Sequence, residues 1–135
     1  MYDVLVAEDH PVNRSLISEV LQAIDCRVTL AENGQQVLDA IDSRDFDVVI
    51  MDNQMPVMSG LQAIARIRAR TDWKRRIPII ALTANAMRGT EGDYQIHGVE
   101  AFMTKPFDVN TVIATVKRLG RAGRRIRDEA YSTTL

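Results

Sequence analysis

Short apolar runs alternate along the whole chain with longer segments whose apolar residues recur at helical spacing, and this pattern limits the possible folds. The short runs favour β-strands at Val4–Ala7, Cys26–Ala31, Phe46–Met51, Ile77–Leu82 and Ala101–Thr104. Helical periodicity separates them, and Pro11, Ser59 and Asp108 are typical of residues at helix starts. Because strand and helix alternate from end to end, the sequence predicts an α/β fold in which a parallel sheet carries helices on both faces.

Length and composition narrow the class of protein. A chain of 135 residues with 46% hydrophobic and 26% charged residues is typical of one globular domain with a substantial core. The formal net charge of -1 gives no general attraction to nucleic acid or to an anionic membrane. Cys26 is the only cysteine, which excludes an intramolecular disulfide and a cysteine-rich zinc site. No apolar run could cross a bilayer and no signal-peptide layout is present, so we expect a soluble, cytoplasmic domain.

The C-terminal stretch differs in composition from the rest of the chain. We expect a domain over residues 1–122, followed by a basic, flexible extension or linker over residues 123–135. The arginines concentrated there are Arg121, Arg124, Arg125 and Arg127. Such a run allows contact with nucleic acid or a kinase surface, but the overall charge gives no support for DNA binding. A linker, or an exposed extension of the last helix, is the favoured interpretation.

Ionisable and hydroxyl side chains stand directly after four of the predicted strands. Glu8 and Asp9 follow the first strand, Asp52 the third, Thr83 the fourth and Lys105 the fifth. The carboxyl ends of parallel strands meet at one edge of a sheet, which is where α/β proteins bind ligands. If the first and third strands are neighbours, the acids converge there beside a hydroxyl and an ammonium group.

Such a convergence requires a counter-ion, because two carboxylates about 4 Å apart repel by roughly 4 kcal/mol at an effective dielectric near 20. The available ligands are oxygens, which favour Mg²⁺, an ion that keeps several waters and needs few carboxylates. A metal, a hydroxyl and a lysine suited to phosphate are together typical of phosphoryl transfer. One carboxylate then acts as the nucleophile, and Asp52 in the central strand is the candidate. Each residue alone is as typical of a loop, cap or surface position; the combination indicates function.

Four motifs resemble the receiver domain of response regulators in two-component signalling. They are EDHPVN (Glu8–Asn13), MDNQMPVMSG (Met51–Gly60), ALTANAM (Ala81–Met87) and FMTKPF (Phe102–Phe107). They occur in the family's order and at its spacing. The residues of QMPVMSG and ALTANAM are most similar to those in the receiver domains of hybrid histidine kinases. The resemblance covers Asp3 to Leu119 and implies a flavodoxin-like (βα)5 fold, a doubly wound parallel five-stranded sheet with strand order 2-1-3-4-5.

The resemblance also implies roles for the acidic residues. Asp52 matches the phosphoacceptor, which takes the phosphoryl group of a phosphohistidine on a histidine kinase or histidine phosphotransfer domain. Glu8 and Asp9 match the acidic pair that holds Mg²⁺, with Asp9 as the more direct ligand. The backbone carbonyl of Gln54 matches the remaining protein ligand of the metal. No small-molecule substrate beyond phosphodonors is implied.

Further matches concern the phosphoryl group and the response to it. The Thr83 hydroxyl and the Ala84 amide match the groups that bind phosphoryl oxygens, and Lys105 matches the lysine that pairs with the phosphate. The bond from Lys105 to Pro106 is expected to be cis. On phosphorylation the hydroxyl of Thr83 would move toward the phosphate and Phe102, where the family often has Tyr, would rotate into the vacated space.

Switching is expected to change the surface formed by the fifth strand and the helices before and after it. The preceding segment, Asn85–Gly98, contains Gly89 and Gly92, each of which destabilises a helix by about 1 kcal/mol relative to Ala. The sequence therefore predicts a short, irregular or mobile helix at this place.

The fold alone is compatible with other functions, so the alternatives are weighed at the site. An FMN protein would need a hydroxyl- and glycine-rich loop after the first strand, whereas EDHPVN would repel phosphate without a metal. A haloacid-dehalogenase-type phosphohydrolase needs a D-x-D motif there, which EDH does not provide. A receiver-like interaction module without phosphorylation is disfavoured by the complete set of site residues. We expect a signalling module with self-catalysed, Mg²⁺-dependent transfer and slow autodephosphorylation, tethered to a membrane only within a larger hybrid kinase.

Overall fold

The computed structural model describes residues 1–83 and 98–132. The strands in this part of the chain are β1 (Asp3–Ala7), β2 (Arg27–Ala31), β3 (Val48–Asp52), β4 (Ile79–Thr83) and β5 (Ala101–Thr104). The helices are α1 (Pro11–Ala23), α2 (Gly34–Ser43), α3 (Gly60–Arg68) and α4 (Val109–Ser132), with a 3₁₀ turn at Trp73–Arg76. The segment Asn85–Gly98, for which an irregular helix is predicted, lies outside the described residues except for Gly98.

The sheet confirms the predicted fold class. Its strands are all parallel and lie in the order β2-β1-β3-β4-β5. β3 and β4 are buried on both faces, as expected for central parallel strands with continuous apolar runs. Both strands end one residue later than predicted, because Asp52 pairs in register with Leu82, and Thr83 with Thr104. Two of the predicted site residues are therefore part of the sheet itself.

Successive residues of the strands divide the core into one layer on each side of the sheet. Val49 and Met51 of β3 belong to the layer that contains the buried faces of α2 and α3. Val48 and Ile50 belong to the opposite layer, with the buried faces of α1 and α4. Among the described helices, none combines the length and the apolar character that a bilayer crossing requires.

The predicted helix starts are confirmed. The side chain of Ser59 accepts a hydrogen bond from the amide of Gln62 at 3.2 Å, and the Gln62 side chain accepts one from the amide of Ser59 at 3.0 Å. The Asp108 carboxylate accepts from the amide of Thr111 at 2.8 Å, and Pro11 is the first residue of α1. These starts lie where the chain leaves the edge of the sheet that carries the predicted site.

Helix α4 continues through the domain boundary predicted at residue 122. Residues 133–135 lie outside the described part. Residues 123–132, for which the sequence predicts a linker or an extension of the last helix, form the last turns of this helix, in agreement with the second alternative. The physical reason is Gly123, at which a Cβ atom would overlap the carbonyl oxygen of Asp47. The absence of a side chain at this position lets the helix pack against the backbone at the start of β3.

The basic residues of this last part of α4 neutralise aspartates at the amino-terminal end of the sheet. The fully buried carboxylate of Asp47 accepts hydrogen bonds from Nε and Nη2 of Arg124, at 2.9 and 2.8 Å, and from the amide of Asp3 at 2.8 Å. The hydrogen bonds to Asp47 raise the pKa of Arg124. Arg127 pairs with Asp3 at 2.8 Å. We call this group of two arginines and two aspartates the basal clamp.

Replacing Arg124 by Ala is expected to lower the free energy of unfolding by about 3 kcal/mol, because the buried carboxylate of Asp47 would lose the two guanidinium donors that satisfy it. Urea unfolding followed by circular dichroism measures the change. The control is Arg125→Ala, which removes the exposed neighbour on the same helix and should change the free energy by less than about 0.5 kcal/mol. An equal decrease in the free energy of unfolding in both variants would contradict a stabilising role for the basal clamp.

Candidate functional site

Three carboxylates lie together at the carboxyl edge of the sheet. Asp52 is the last residue of β3, and Glu8 and Asp9 follow β1 directly. One oxygen of each carboxylate lies within 4.8 Å of the others. Glu8 is fully buried and Asp52 is 4% exposed, whereas Asp9 is exposed. The acids thus form one cluster, as the predicted strand order requires. Solvent reaches this cluster from the side of Asp9.

Lys105 joins this cluster from the end of β5. Its Nζ atom lies 2.8 Å from Oδ2 of Asp52 and 3.0 Å from Oε2 of Glu8. Its backbone amide donates a hydrogen bond to the carbonyl of Thr83 at 2.8 Å, which continues the pairing of β4 with β5 up to the lysine. The peptide bond to Pro106 is cis, as the resemblance implies.

Burial and charge together set the protonation of the cluster. Burial raises the pKa of Glu8 above its usual value; the hydrogen bond from Lys105 opposes this rise, and the charge of Asp52 adds to it. Burial acts to lower the pKa of Lys105, but its hydrogen bonds to Asp52 and Glu8 outweigh that effect and raise it. The ammonium group therefore stays charged at neutral pH, and one positive charge faces three acids.

One oxygen of Glu8 is left without a hydrogen bond. Oε2 accepts no hydrogen bond from the described residues, although Nζ of Lys105 lies 3.0 Å away, within ion-pair distance. The hydrogen bond from Nζ goes to the other oxygen, Oε1, at 3.3 Å. A buried carboxylate oxygen without a donor is unfavourable, and a hard cation with its bound waters would satisfy it. The donors of this cluster are carboxylate oxygens, the type that Mg²⁺ prefers. The residues present therefore fit the predicted metal.

The loop from β3 to α3 holds the Asp52 carboxylate in place. The amide of Gln54 donates to Oδ1 of Asp52 at 3.3 Å. Asn53 ties the loop to the helix, because its side chain accepts from the amide of Leu61 at 3.1 Å and its carbonyl accepts from the amide of Gly60 at 3.0 Å. A Cβ atom on Gly60 would overlap the Asp52 carbonyl oxygen, so only glycine permits this approach. The role of Asn53 was not predicted from the sequence, although its place directly after Asp52 is a usable signal.

Arg14 in α1 is a second residue that the sequence analysis missed. Its guanidinium donates to the backbone carbonyl of Glu8 at 3.1 Å and to that of Asp9 at 3.4 Å, and it pairs with Glu32 at 3.4 Å. These contacts hold the backbone of the acid pair and leave both carboxylates for the cluster. The only signal in the sequence is an arginine in the first turns of the helix that follows the acids.

The residues predicted for phosphate binding and switching lie on neighbouring strands. Thr83 ends β4 at the edge that carries the acids and is 7% exposed. Phe102 on β5 is partly buried and packs against the core layer that contains Met51. Ala84 lies outside the described residues. The structure places Thr83 beside the end of β5 that leads to Lys105, and the roles of these residues remain predictions.

The same β3–α3 loop contains a strained residue. Val57 has a φ of +69°, in the left-handed region that is unfavourable for β-branched side chains. Its side chain is 83% exposed, so packing does not offset the strain. The amide of Met58 donates to the carbonyl of Pro56 at 2.7 Å, which closes the tight turn around it. The turn itself therefore imposes the left-handed conformation.

Comparison with known proteins matches residues 4–117 to the response regulator receiver domain. Hybrid signal transduction histidine kinase G of Dictyostelium discoideum is 34% identical over 119 residues, which are 87% of this chain and 4% of that protein. The polar-differentiation response regulator DivK of Brucella anthropi is 34% identical over 114 residues, 84% of this chain and 92% of that protein. The chain thus matches a small part of a hybrid kinase and nearly the whole of a short regulator.

A solved structure extends the similarity to the fold. The receiver domain of the sensor histidine kinase PA1611 from Pseudomonas aeruginosa is 34% identical, with a TM-score of 0.82 over 88% of this chain and 97% of that one. That structure contains a magnesium ion coordinated in its active-site cleft.

Replacing Val57 by Gly is expected to raise the free energy of unfolding by about 0.5–1 kcal/mol, because glycine adopts the left-handed backbone without strain. The gain is smaller than the strain, since glycine also gives the unfolded chain more freedom. Urea unfolding measures it, with Val57→Ala as the control that shortens the side chain but retains Cβ. A Val57→Gly variant with a lower free energy of unfolding than the native chain would contradict backbone strain at Val57.

Proposed function

The chain belongs to the response regulator receiver domain family, and we propose that Asp52 accepts a phosphoryl group from a phosphohistidine in a two-component phosphorelay. The observation that carries this proposal is the position of the Asp52 carboxylate, which is buried, paired with Lys105 and clustered with Glu8 and Asp9. The donor would be a histidine kinase or a histidine phosphotransfer domain, in the cytoplasm. As a receiver domain, the chain is a signalling module rather than a metabolic enzyme.

The proposed transfer requires a single displacement at phosphorus. One oxygen of the Asp52 carboxylate attacks, so that a P–O bond forms while the P–N bond of the phosphohistidine breaks. The electron pair of that bond stays on the imidazole nitrogen of the donor, and the product on this chain is an acyl phosphate. Lys105 Nζ at 2.8 Å from Oδ2 and the Gln54 amide at 3.3 Å from Oδ1 orient the carboxylate for the attack.

Glu8, Asp9, Asp52 and the backbone carbonyl of Gln54 would hold Mg²⁺. The clustering of the three carboxylates and the unsatisfied oxygen of Glu8 support this assignment, as does the magnesium ion in the PA1611 receiver structure. When bound, Mg²⁺ supplies positive charge that stabilises the transferring phosphoryl group. Lys105 supplies further positive charge at the Asp52 carboxylate itself.

The phosphoryl group would be held by the Thr83 hydroxyl, the Ala84 amide and Lys105. Movement of Thr83 toward the phosphate would open space next to β5, into which Phe102 would rotate. The partly buried position of Phe102 supports this, because its contacts can change without opening the core. We propose that this movement changes the surface around β5, and that slow hydrolysis of the acyl phosphate resets it.

Phosphotransfer to an Asp52→Asn variant is expected to fall to background, because the amide lacks the nucleophilic carboxylate at unchanged size. The measurement follows radiolabel from a phosphorylated histidine phosphotransfer protein in the presence of Mg²⁺, together with the mass increase of the intact chain. Asp39→Asn, which changes an exposed acid of α2 in the same way, is the control and should be labelled like the native chain. Equal labelling of the Asp52→Asn variant and the native chain would refute Asp52 as the acceptor and leave the module without phosphorylation as the better explanation.

Calorimetric titration with Mg²⁺ alone tests the metal site separately. Asp9→Asn is expected to weaken Mg²⁺ binding by about tenfold or more, because it removes a charged oxygen ligand. Lys105→Met is expected to tighten binding by about two- to tenfold, because the ammonium group repels the cation. Lys117→Met, which removes an exposed lysine of α4, is the control. Weaker Mg²⁺ binding by the Lys105 variant would contradict the proposed charge balance.

A further inference from the structure

The guanidinium of Arg14 joins two loops at the carboxyl edge of the sheet. Its Nη1 atom donates to the backbone carbonyl of Glu8 at 3.1 Å and to that of Asp9 at 3.4 Å, in the loop after β1. Its Nη2 atom lies 3.4 Å from Oε1 of Glu32, in the loop after β2. The Arg14 side chain is only 18% exposed, so these contacts are made largely out of solvent.

The loop after β2 gives the guanidinium a fixed support. The amide of Glu32 donates to Oε1 of Gln36 at 2.8 Å, and the side chain of Asn33 accepts from the amide of Gln36 at 2.8 Å at the start of α2. The carbonyl of Ala31 accepts a hydrogen bond from the amide of Glu8 at 3.1 Å. The backbone of Glu8 is therefore held at its amide by β2 and at its carbonyl by the guanidinium.

The carboxylate of Asp9 depends on its backbone more than that of Glu8 does. Glu8 accepts hydrogen bonds from the amide of His10 at 3.2 Å and from Lys105 at 3.3 Å. No donor in the described part of the chain reaches the exposed Asp9 carboxylate. Because the Asp9 side chain is short, the position of its oxygens follows from the position of its backbone. The contact of Arg14 with the Asp9 carbonyl therefore limits where this carboxylate can lie.

The charge of Arg14 acts on a bound cation in the opposite direction. A guanidinium near the three carboxylates repels Mg²⁺, and Glu32 offsets only part of that charge because it is 59% exposed. If charge were the only effect of Arg14, removing it would tighten Mg²⁺ binding. If holding the backbone dominates, removing it would weaken binding. The two effects differ in sign, so one measurement separates them.

We propose that Arg14 is a positioning residue for the magnesium site. Its planar guanidinium fixes the backbone of Glu8 and Asp9 against the loop after β2, so that the carboxylates stay clustered before the ion arrives. Ordering the ligands during folding removes a cost that binding would otherwise carry. The inference rests on the proposed function, since it requires Mg²⁺ at these acids.

Calorimetric titration with Mg²⁺ alone compares the native chain with two variants. Arg14→Met should weaken binding by about tenfold although it removes a positive charge, because it releases the backbone of both acids. Arg14→Lys should bind no more tightly than Arg14→Met, because lysine keeps the repelling charge but lacks the planar fork that joins the two loops. Native-like or tighter binding by either variant would overturn the proposal.

Arg27→Met is the matched control. Arg27 also pairs with an acid, Asp3 at 2.8 Å, but it begins β2 at the opposite edge of the sheet. Its loss should leave Mg²⁺ affinity within about twofold of the native value, since exposed charges at that distance are screened. Circular dichroism of every variant verifies the fold.

Amide hydrogen exchange without Mg²⁺ tests the positioning independently of the metal. The His10 amide, which donates to Glu8, should exchange at least about fivefold faster in Arg14→Met, because the loop after β1 opens more often. The amide of Ile50 in the buried strand β3 should exchange at the native rate. An equal acceleration at both amides would indicate general destabilisation and overturn the positioning role.

The titration also separates this inference from the proposed function. A native chain that binds no Mg²⁺, or that binds it as tightly after Asp9→Asn, would overturn the metal assignment and the inference with it. Binding that Asp9→Asn weakens and Arg14→Met leaves unchanged would overturn the inference alone.

Discussion

The central strand β3 buries a carboxylate at each of its ends, and the packing of other elements follows from this burial. Asp47 precedes the strand and is fully buried, and Asp52 ends it and is 4% exposed. Either charge alone would cost several kcal/mol in this position, so the fold has to bring a cation to each end. Lys105 arrives after β5 and Arg124 from α4, both remote in sequence from β3. The need to neutralise the carboxylates at both ends of β3 therefore fixes where β5 and α4 pack.

The two carboxylates differ in how completely they are satisfied, and this difference separates a structural acid from a reactive one. Asp47 accepts bonds from both sides of the Arg124 guanidinium and from the Asp3 amide, which closes its site. At the other end, Lys105 serves Asp52 and Glu8 together, and one oxygen of Glu8 still accepts no hydrogen bond from the described residues. A cluster with this deficit of positive charge can take up a cation and a phosphoryl group; a closed pair cannot.

Sequence reasoning predicted those features that follow from local pattern and strand topology. Alternating apolar runs give the strands, and parallel strands necessarily bring Asp9, Asp52 and Lys105 to one edge. What it missed depends on contacts between distant segments: Asp47 lies inside the predicted third strand and has no evident role until Arg124 is placed beside it. The close approach of Gly123 to the Asp47 carbonyl was likewise not predicted, because glycine is common both in linkers and in close helix packing. The strain at Val57 was equally invisible, since only the backbone angle reveals it.

The anchoring of α4 limits where a phosphorylation signal can travel. Its start is fixed by the Asp108 cap, close to Lys105, and its second half is fixed by the basal clamp. A ligand shifts an equilibrium only through contacts that differ between two states, and contacts held at both ends of a helix change least. Phe102 on β5 is less constrained, because it is only partly buried. We therefore expect the proposed switch to act through Thr83 and Phe102, while α4 stays in place. A partner that distinguishes the phosphorylated chain should accordingly contact β5.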